Sequence, residues 1–146
     1  MKFELHIHPD TEETVRAEVH RRSDFTEQLE QLVMAYNGTD SMTAYADGEM
    51  KVIGFNELAC VTVLDGKSFV IDTNGRRYKI RYKLYEAAGL LPSYFIKINK
   101  STIANKRQIE CFQPAFSGSV NVVFKSGYTD YVSRRCFAEI KKELKK

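Results

Sequence analysis

Four glycine-containing turns constrain this chain more than any other feature of it. Asp47-Gly48, Asp65-Gly66, Asn74-Gly75 and Ser126-Gly127 each separate short apolar and β-branched runs. Such pairs supply the left-handed backbone that tight hairpins require. Met42–Tyr45 and Met50–Gly54 flank the first, and Val61, Val63, Phe69 and Ile71 flank the second. Tyr78, Ile80 and Tyr82 follow the third, and Val120–Phe124 and Tyr131-Val132 flank the fourth. Many short strands at close intervals predict a mainly β, antiparallel sandwich or barrel-like core. Helices are brief: a turn at Asn56-Glu-Leu, then a segment with Leu84 and Ala87-Ala88 closed by Gly89 and Pro92. A last helix is capped by Ser133, with Phe137, Ile140 and Leu144 on one face.

Between these helices lies Phe95-Ile-Lys-Ile-Asn-Lys-Ser-Thr-Ile-Ala-Asn105. Its alternation predicts a half-buried strand. Asn99, Lys100 and Ser101 then cluster, Ile103-Ala104 restores the apolar pattern, and Asn105-Lys106-Arg107 follows. A rigid β-scaffold thus brackets a short polar, cationic loop.

This segment resembles the Phe-x-Arg-x-His-x-Ser-x-x-Val-Asn core of LytTR-type DNA-binding domains, found in bacterial transcription regulators. Phe95, Lys97, Asn99, Ser101, Ala104 and Asn105 stand at the same spacing, with Lys for Arg, Asn for His and Ala for Val. The resemblance runs over roughly residues 46–146, taking in the turns upstream and, downstream, Ile109, the Ser-Gly hairpin and Tyr131-Val-Ser-Arg-Arg135. It implies an antiparallel β-sheet sandwich with short helices that binds double-stranded DNA. In such domains three loops enter successive major grooves, largely without a recognition helix. By position these are Asp65-Gly66-Lys67-Ser68, Asn99-Lys100-Ser101 and Ser133-Arg134-Arg135. Lys67, Lys100 and Arg135 would reach base edges, while Lys97, Asn99, Ser101, Asn105, Lys106 and Arg134 would touch phosphates. The resemblance also implies paired direct repeats in the operator, two protomers per promoter, and, for stand-alone members, restraint by a small membrane protein.

Charge agrees with a polyanionic partner. Residues 1–45 carry 4 Lys and Arg against 9 Asp and Glu, a net −5, and the remainder carries 18 against 10, a net +8. Arg134 and Arg135 stand at the start of the last helix, where its dipole disfavours cations by about 0.3–1 kcal/mol. Phosphates approaching that end would explain the placement. Lys141, Lys142, Lys145 and Lys146 stand at the favourable end, where dipole compensation suffices. Tyr78, Tyr82, Tyr94, Phe95 and Phe124 are expected in the core.

At 146 residues and 43% hydrophobic, the chain has room for one ordinary domain and a small appendage. No apolar run approaches 18 residues, and Met1-Lys-Phe-Glu-Leu-His lacks a signal-peptide core. Cys60, Cys111 and Cys136 are odd in number and widely separated, which predicts reduced, largely buried thiols and a cytoplasmic location.

The appendage, residues 1–41, precedes the DNA-binding unit, residues 42–146. Phe3, Leu5 and Ile7 alternate with Glu4, His6 and His8 as an opening strand. Val15, Ala17 and Val19 suggest a second strand, although 12–22 also reads as helix. Asp24 and Glu27 form a predicted capping box, and Leu29, Leu32, Val33 and Tyr36 supply a helical face to bury. Asn37-Gly38 ends that helix, and Thr39-Asp40-Ser41 reads as a linker. The buried face suggests self-association as a homodimer.

Nothing points to an enzyme. There is no glycine-rich phosphate loop and no nucleophile elbow, so no cofactor and no small-molecule substrate are expected. His6 and His8 share one strand face, but no zinc-type spacing accompanies them and no metal is assigned. Two other classes compete with duplex binding. An RNA- or single-strand-binding β-domain would interleave exposed aromatics with its basic residues. A protein-interaction module would act through its acidic head.

Overall fold

The computed structural model describes residues 1–144, with the side chains of Ser117 and Leu144 excepted. The predicted roles of Lys145 and Lys146, and of Leu144 on its helix face, lie outside what is described. Helix α1 (Asp24–Tyr36) leads into hairpin β1 (Ser41–Ala46) and β2 (Glu49–Gly54). A 3-10 turn, Phe55–Glu57, precedes β3 (Leu58–Leu64), β4 (Lys67–Asp72) and β5 (Arg77–Lys79). Helix α2 (Leu84–Leu90) is followed by β6 (Phe95–Asn99), β7 (Thr102–Asn105), β8 (Ile109–Pro114), β9 (Val120–Phe124), β10 (Thr129–Val132) and α3 (Arg134–Leu144). Among these helices none is long and apolar enough to cross a membrane.

Two antiparallel sheets result, one of seven strands in the order β2-β1-β5-β4-β3-β7-β6, the other β10-β9-β8. Both Asp-Gly turns adopt left-handed backbone at both residues (Asp47 φ 51°, Gly48 78°; Asp65 52°, Gly66 76°). This is the type I′ geometry whose twist matches the flanking strands.

Adjacent residues on the central strands are buried on opposite faces. Val61, Val70 and Ile103 join a core with Phe55, Leu58, Tyr78, Tyr94, Phe95 and Ala87 of α2. Their neighbours Cys60, Ile71 and Ala104 join a second core with Ile98, Val122, Phe124, Val132 and Ile140 of α3. The seven-stranded sheet is thus the middle layer, between α2 on one side and the small sheet with α3 on the other. Four of the five aromatics assigned to the core are buried, and Tyr82 packs against it half-buried. Cys60 is fully buried, Cys111 and Cys136 are half-buried, and none is bonded to another.

The extension departs from expectation. Residues 1–22 form no strand, and Phe3, Leu5, Ile7, Val15 and Val19 are exposed. Neither run meets a ladder partner, and a lone strand has nothing to bond to. The N-cap of α1 is Ser23 rather than Asp24, with the Ser23 N–H donating to Thr26 Oγ1 at 3.0 Å. Ser41 already belongs to β1, so the loop before it is shorter than the predicted linker.

The face that α1 buries overlaps the apolar one only in part. Leu29 and Val33 are half-buried, as are Glu27, Glu30, Gln31 and Met34, while Leu32 and Tyr36 point to solvent. The reason lies on the receiving surface. Arg107 donates Nε and Nη2 to Glu27 Oε2 at 3.2 and 2.5 Å and lies 4.3 Å over the Tyr94 ring. The Ser93 N–H donates to Glu30 Oε1 at 2.6 Å, and Met34 packs on the first core. Charge-assisted bonds are the strong ones, and here they turn the helix so that Leu32 and Tyr36 are left outside.

Arg107→Ala should therefore release α1 without unfolding the body. Hydrogen exchange should accelerate over 24–36 and stay unchanged over 58–72 and 95–105. Equal acceleration everywhere would show that Arg107 supports the whole fold.

Candidate nucleic-acid interface

The turns between β3 and β4, between β6 and β7, and between β10 and α3 lie side by side at one end of the molecule. β3 pairs with β7, and the Val63 N–H donates to the Ser101 carbonyl at 2.9 Å. The Ser133 N–H donates to the Ile98 carbonyl, also at 2.9 Å. These bonds fasten the Lys67 hairpin and the Arg135 helix start to the Asn99–Ser101 turn from either side.

A compact polar knot underlies the turn. Asn99 donates its amide to the Tyr131 carbonyl (2.7 Å) and, at 3.4 Å, to Asp130 Oδ1, while its carbonyl oxygen accepts from the Ser101 N–H (2.8 Å). Thr102 Oγ1 donates to Asp130 Oδ2 at 2.7 Å and meets Thr62 Oγ1 at 2.7 Å. Asp130 Oδ1 also accepts the Tyr131 N–H at 2.8 Å. Every polar atom of this cluster finds a partner, as burial requires; among the described residues no buried side-chain polar atom lacks one.

Two expectations fail here. Asn99 and Asn105 are each only 1% exposed, so neither can touch a phosphate. Asn99 is committed to the knot. Asn105 donates to the Leu58 carbonyl at 2.8 Å and accepts from the Arg107 N–H at 2.9 Å, capping the turn after β7. Their spacing reflects backbone bracing. Lys106 is separated from the others by the length of β7, ~13 Å at a strand's rise, and its ammonium pairs with Glu143 at 3.5 Å.

The remaining candidates face outward. Lys67, Lys97, Lys100, Arg134 and Arg135 are exposed, with Ser68 and Ser101 half-buried beside them. Lys97 and Arg135 line one groove of about 470 Å³, shared with Glu139 and Glu143. Lys97 and Lys100 line a second, with Tyr85, Leu91 and Phe95. Lys97 therefore lies between the second and third loops, in a groove that also holds the carboxylates of Glu139 and Glu143. Ser133 caps α3 as predicted, its Oγ accepting from the Cys136 N–H at 3.1 Å, which fixes where Arg134 and Arg135 begin. Among the described residues no group of three or more metal-ligating side chains is assembled.

Asp130 escaped sequence reasoning. Aspartate is disfavoured in strands, and one inside Thr129–Val132 was the available signal. Its charge also acts on its neighbours. Burial foremost, and Asp130 next, push the Cys60 thiol far above its ordinary range. Burial, with Cys60 and Asp130 adding, pushes the Tyr128 hydroxyl up to about 12.

Asn99→Ala should lower stability by about 1–3 kcal/mol, because the Ser101 N–H and the Tyr131 carbonyl lose their partner. Lys100→Ala, one residue on, should change it little. Urea titrations of both variants provide the check, and equal losses would remove Asn99 from its structural role. Alkaline pH gives a second check. Cys60 keeps its proton when folded, so its contribution is fully present below the unfolded thiol's pKa, near 9, and is lost as pH rises above it. Urea midpoints should fall as pH rises above 9, and less steeply in Cys60→Ala.

Comparison with known proteins accords with this geometry. The family model described as "LytTr DNA-binding domain" matches residues 48–145, well over half of the chain. Uncharacterized HTH-type transcriptional regulators of Staphylococcus aureus strains MSSA476 and COL are each 28% identical over 145 residues, covering 99% of this chain and 98% of theirs. The LytTr DNA-binding domain of a Bacillus cereus protein described as a methyl-accepting/DNA response regulator superposes with a TM-score of 0.65 at 22% identity. It covers 72% of this chain and 96% of its own. The three α-helices here are separated from one another by strands, so the helix-turn-helix in the staphylococcal names has no counterpart among the described residues.

Proposed function

That the chain belongs to the LytTr DNA-binding domain family is the premise from which we propose that it is a transcription regulator reading double-stranded DNA through three loops. One observation carries the reading: three hydrogen-bonded turns present Lys67, Lys97, Lys100, Arg134 and Arg135 along one edge. Lys67, Lys100 and Arg135 are assigned to base edges, and Lys97, Ser68, Ser101 and Arg134 to phosphates. In this reading residues 42–146 are the DNA-binding unit and 1–41 an acidic extension. Two protomers occupy paired direct repeats, and a small membrane protein restrains them; both features follow from the family resemblance.

Duplex is favoured over single strands. Single-strand binders need open aromatic faces. Phe69 and Tyr45 are covered, by Arg77 at 4.8 Å and Arg81 at 4.5 Å, whereas Tyr85 is open beside Lys97 and Lys100; the preference for duplex therefore rests on the family resemblance, and competition between duplex and single-strand probes tests it.

Arg135 is the decisive residue. The Ser133 cap fixes its backbone, its fork suits guanine bidentately, and at the helix start the dipole disfavours its charge by about 0.3–1 kcal/mol, so its removal does not destabilise the fold through that term. Arg135→Ala should weaken binding to the specific duplex by about 1–3 kcal/mol. Binding to a scrambled duplex should weaken much less and melting should be unchanged, and Lys142→Ala at the far helix end should be neutral. Equal weakening on both duplexes would make Arg135 a phosphate contact. With about five cations engaged, log affinity against log salt should fall with a slope of roughly −4 to −5, and a slope near zero would remove the proposed interface.

A further inference from the structure

The chain exposes two surfaces that its own fold does not use, and they are complementary. The first is the arm, residues 1–22. Alternate side chains of its first residues share a side. Glu4 and His6 pair at 3.5 Å and the rings of His6 and His8 stack at 6.5 Å, so 4, 6 and 8 share one side. Phe3, Leu5 and Ile7 fall on the other, 88%, 73% and 79% exposed.

The second surface is β2. It ends the seven-stranded sheet and pairs only with β1, so one side of its backbone is unbonded. Natural edges are protected by bulges, proline, charged side chains or a covering element; β2 carries Glu49 and Lys51 but runs in unbroken register with β1 and contains no proline. Met50 and Val52 stand on it 69% and 71% exposed.

We propose that the segment Phe3–Ile7 of one protomer adds as an antiparallel strand to β2 of a second copy, and reciprocally. One register satisfies both faces. Phe3 stands opposite Val52 and Leu5 opposite Met50, covering the exposed apolar pair. On the other face Glu4 stands opposite Lys51, which also donates to the Tyr78 hydroxyl at 3.4 Å, an opposite-charge pair, and the imidazole of His6 stands opposite Glu49. Apolar pairs and opposite charges directly across a ladder are the units of sheet stabilisation. A second copy is the occupant that brings both surfaces at once, and mutual exchange closes with two-fold symmetry. Within one chain β2 lies at the far sheet edge, six spacings or ~29 Å from β6, a span that residues 8–22 can also cross when extended, so the cross-linking pattern decides between the two. The proposal deepens the reading that two protomers act together and does not depend on which bases they read.

The test uses the full chain. Sedimentation at tens of micromolar should show a dimer without DNA, and Leu5→Arg or Val52→Arg should weaken it by about tenfold or more by placing an unpaired charge in an apolar contact. Leu5→Cys protein mixed with Met50→Cys protein under mild oxidation should yield a disulfide-linked heterodimer. Moving the second cysteine to Lys51→Cys, on the other face, should abolish it. A wild-type chain that stays monomeric, or a Leu5→Cys/Met50→Cys chain that cross-links only within itself, would overturn the proposal. A cross-linked dimer that fails to bind any duplex would leave it standing and overturn the DNA reading instead.

Discussion

The amide of Asn99 is the interaction on which the arrangement depends. With two groups of atoms it reaches its own turn, the β10 backbone and the Asp130 carboxylate, and so joins the edge of the large sheet to the small one. A buried amide is costly unless fully bonded, so this one either holds the sheets in a single relation or destabilises the domain. The Thr62–Thr102–Asp130 chain extends the same logic inward. Cationic loops on the surface thus stand on a polar foundation that is itself shielded from water.

Helix α1 shows the opposite balance. Its attachment combines half-exposed electrostatic bonds with the packing of Met34, and Leu32 and Tyr36 of its apolar side are left in solvent. Attachment of this kind weakens with ionic strength, whereas the two apolar cores do not. The molecule therefore has a robust centre and a head whose hold on it is conditional.

The sequence revealed the hairpins, the short helices and the mainly β character because Asp-Gly turns and period-two runs are local signals. It revealed the three loops through a family resemblance in their order and spacing. It misled wherever the deciding partner was distant. Asn99 and Asn105 look like contact residues in a polar stretch, and only the pairing of β7 with β3 and of β6 with β10's end shows that their amides are spent internally. The turn of α1 that leaves Leu32 and Tyr36 outside was set by Arg107, eighty residues from Glu27. The strand pattern at 3–7 was read correctly as a pattern, but a strand needs a neighbour, which composition cannot supply.

The knot beneath the turn has a metrical consequence. Three loops fastened through one cluster form a gauge with fixed intervals, unable to shift one tooth without the others. In the proposed complex any mismatch in groove spacing must then be absorbed by the double helix, which bends at some base steps far more readily than at others. Positions that no side chain reaches would so acquire a say in which promoters are chosen, and insertion of a single base pair between contacted steps would be felt as a loss of phase.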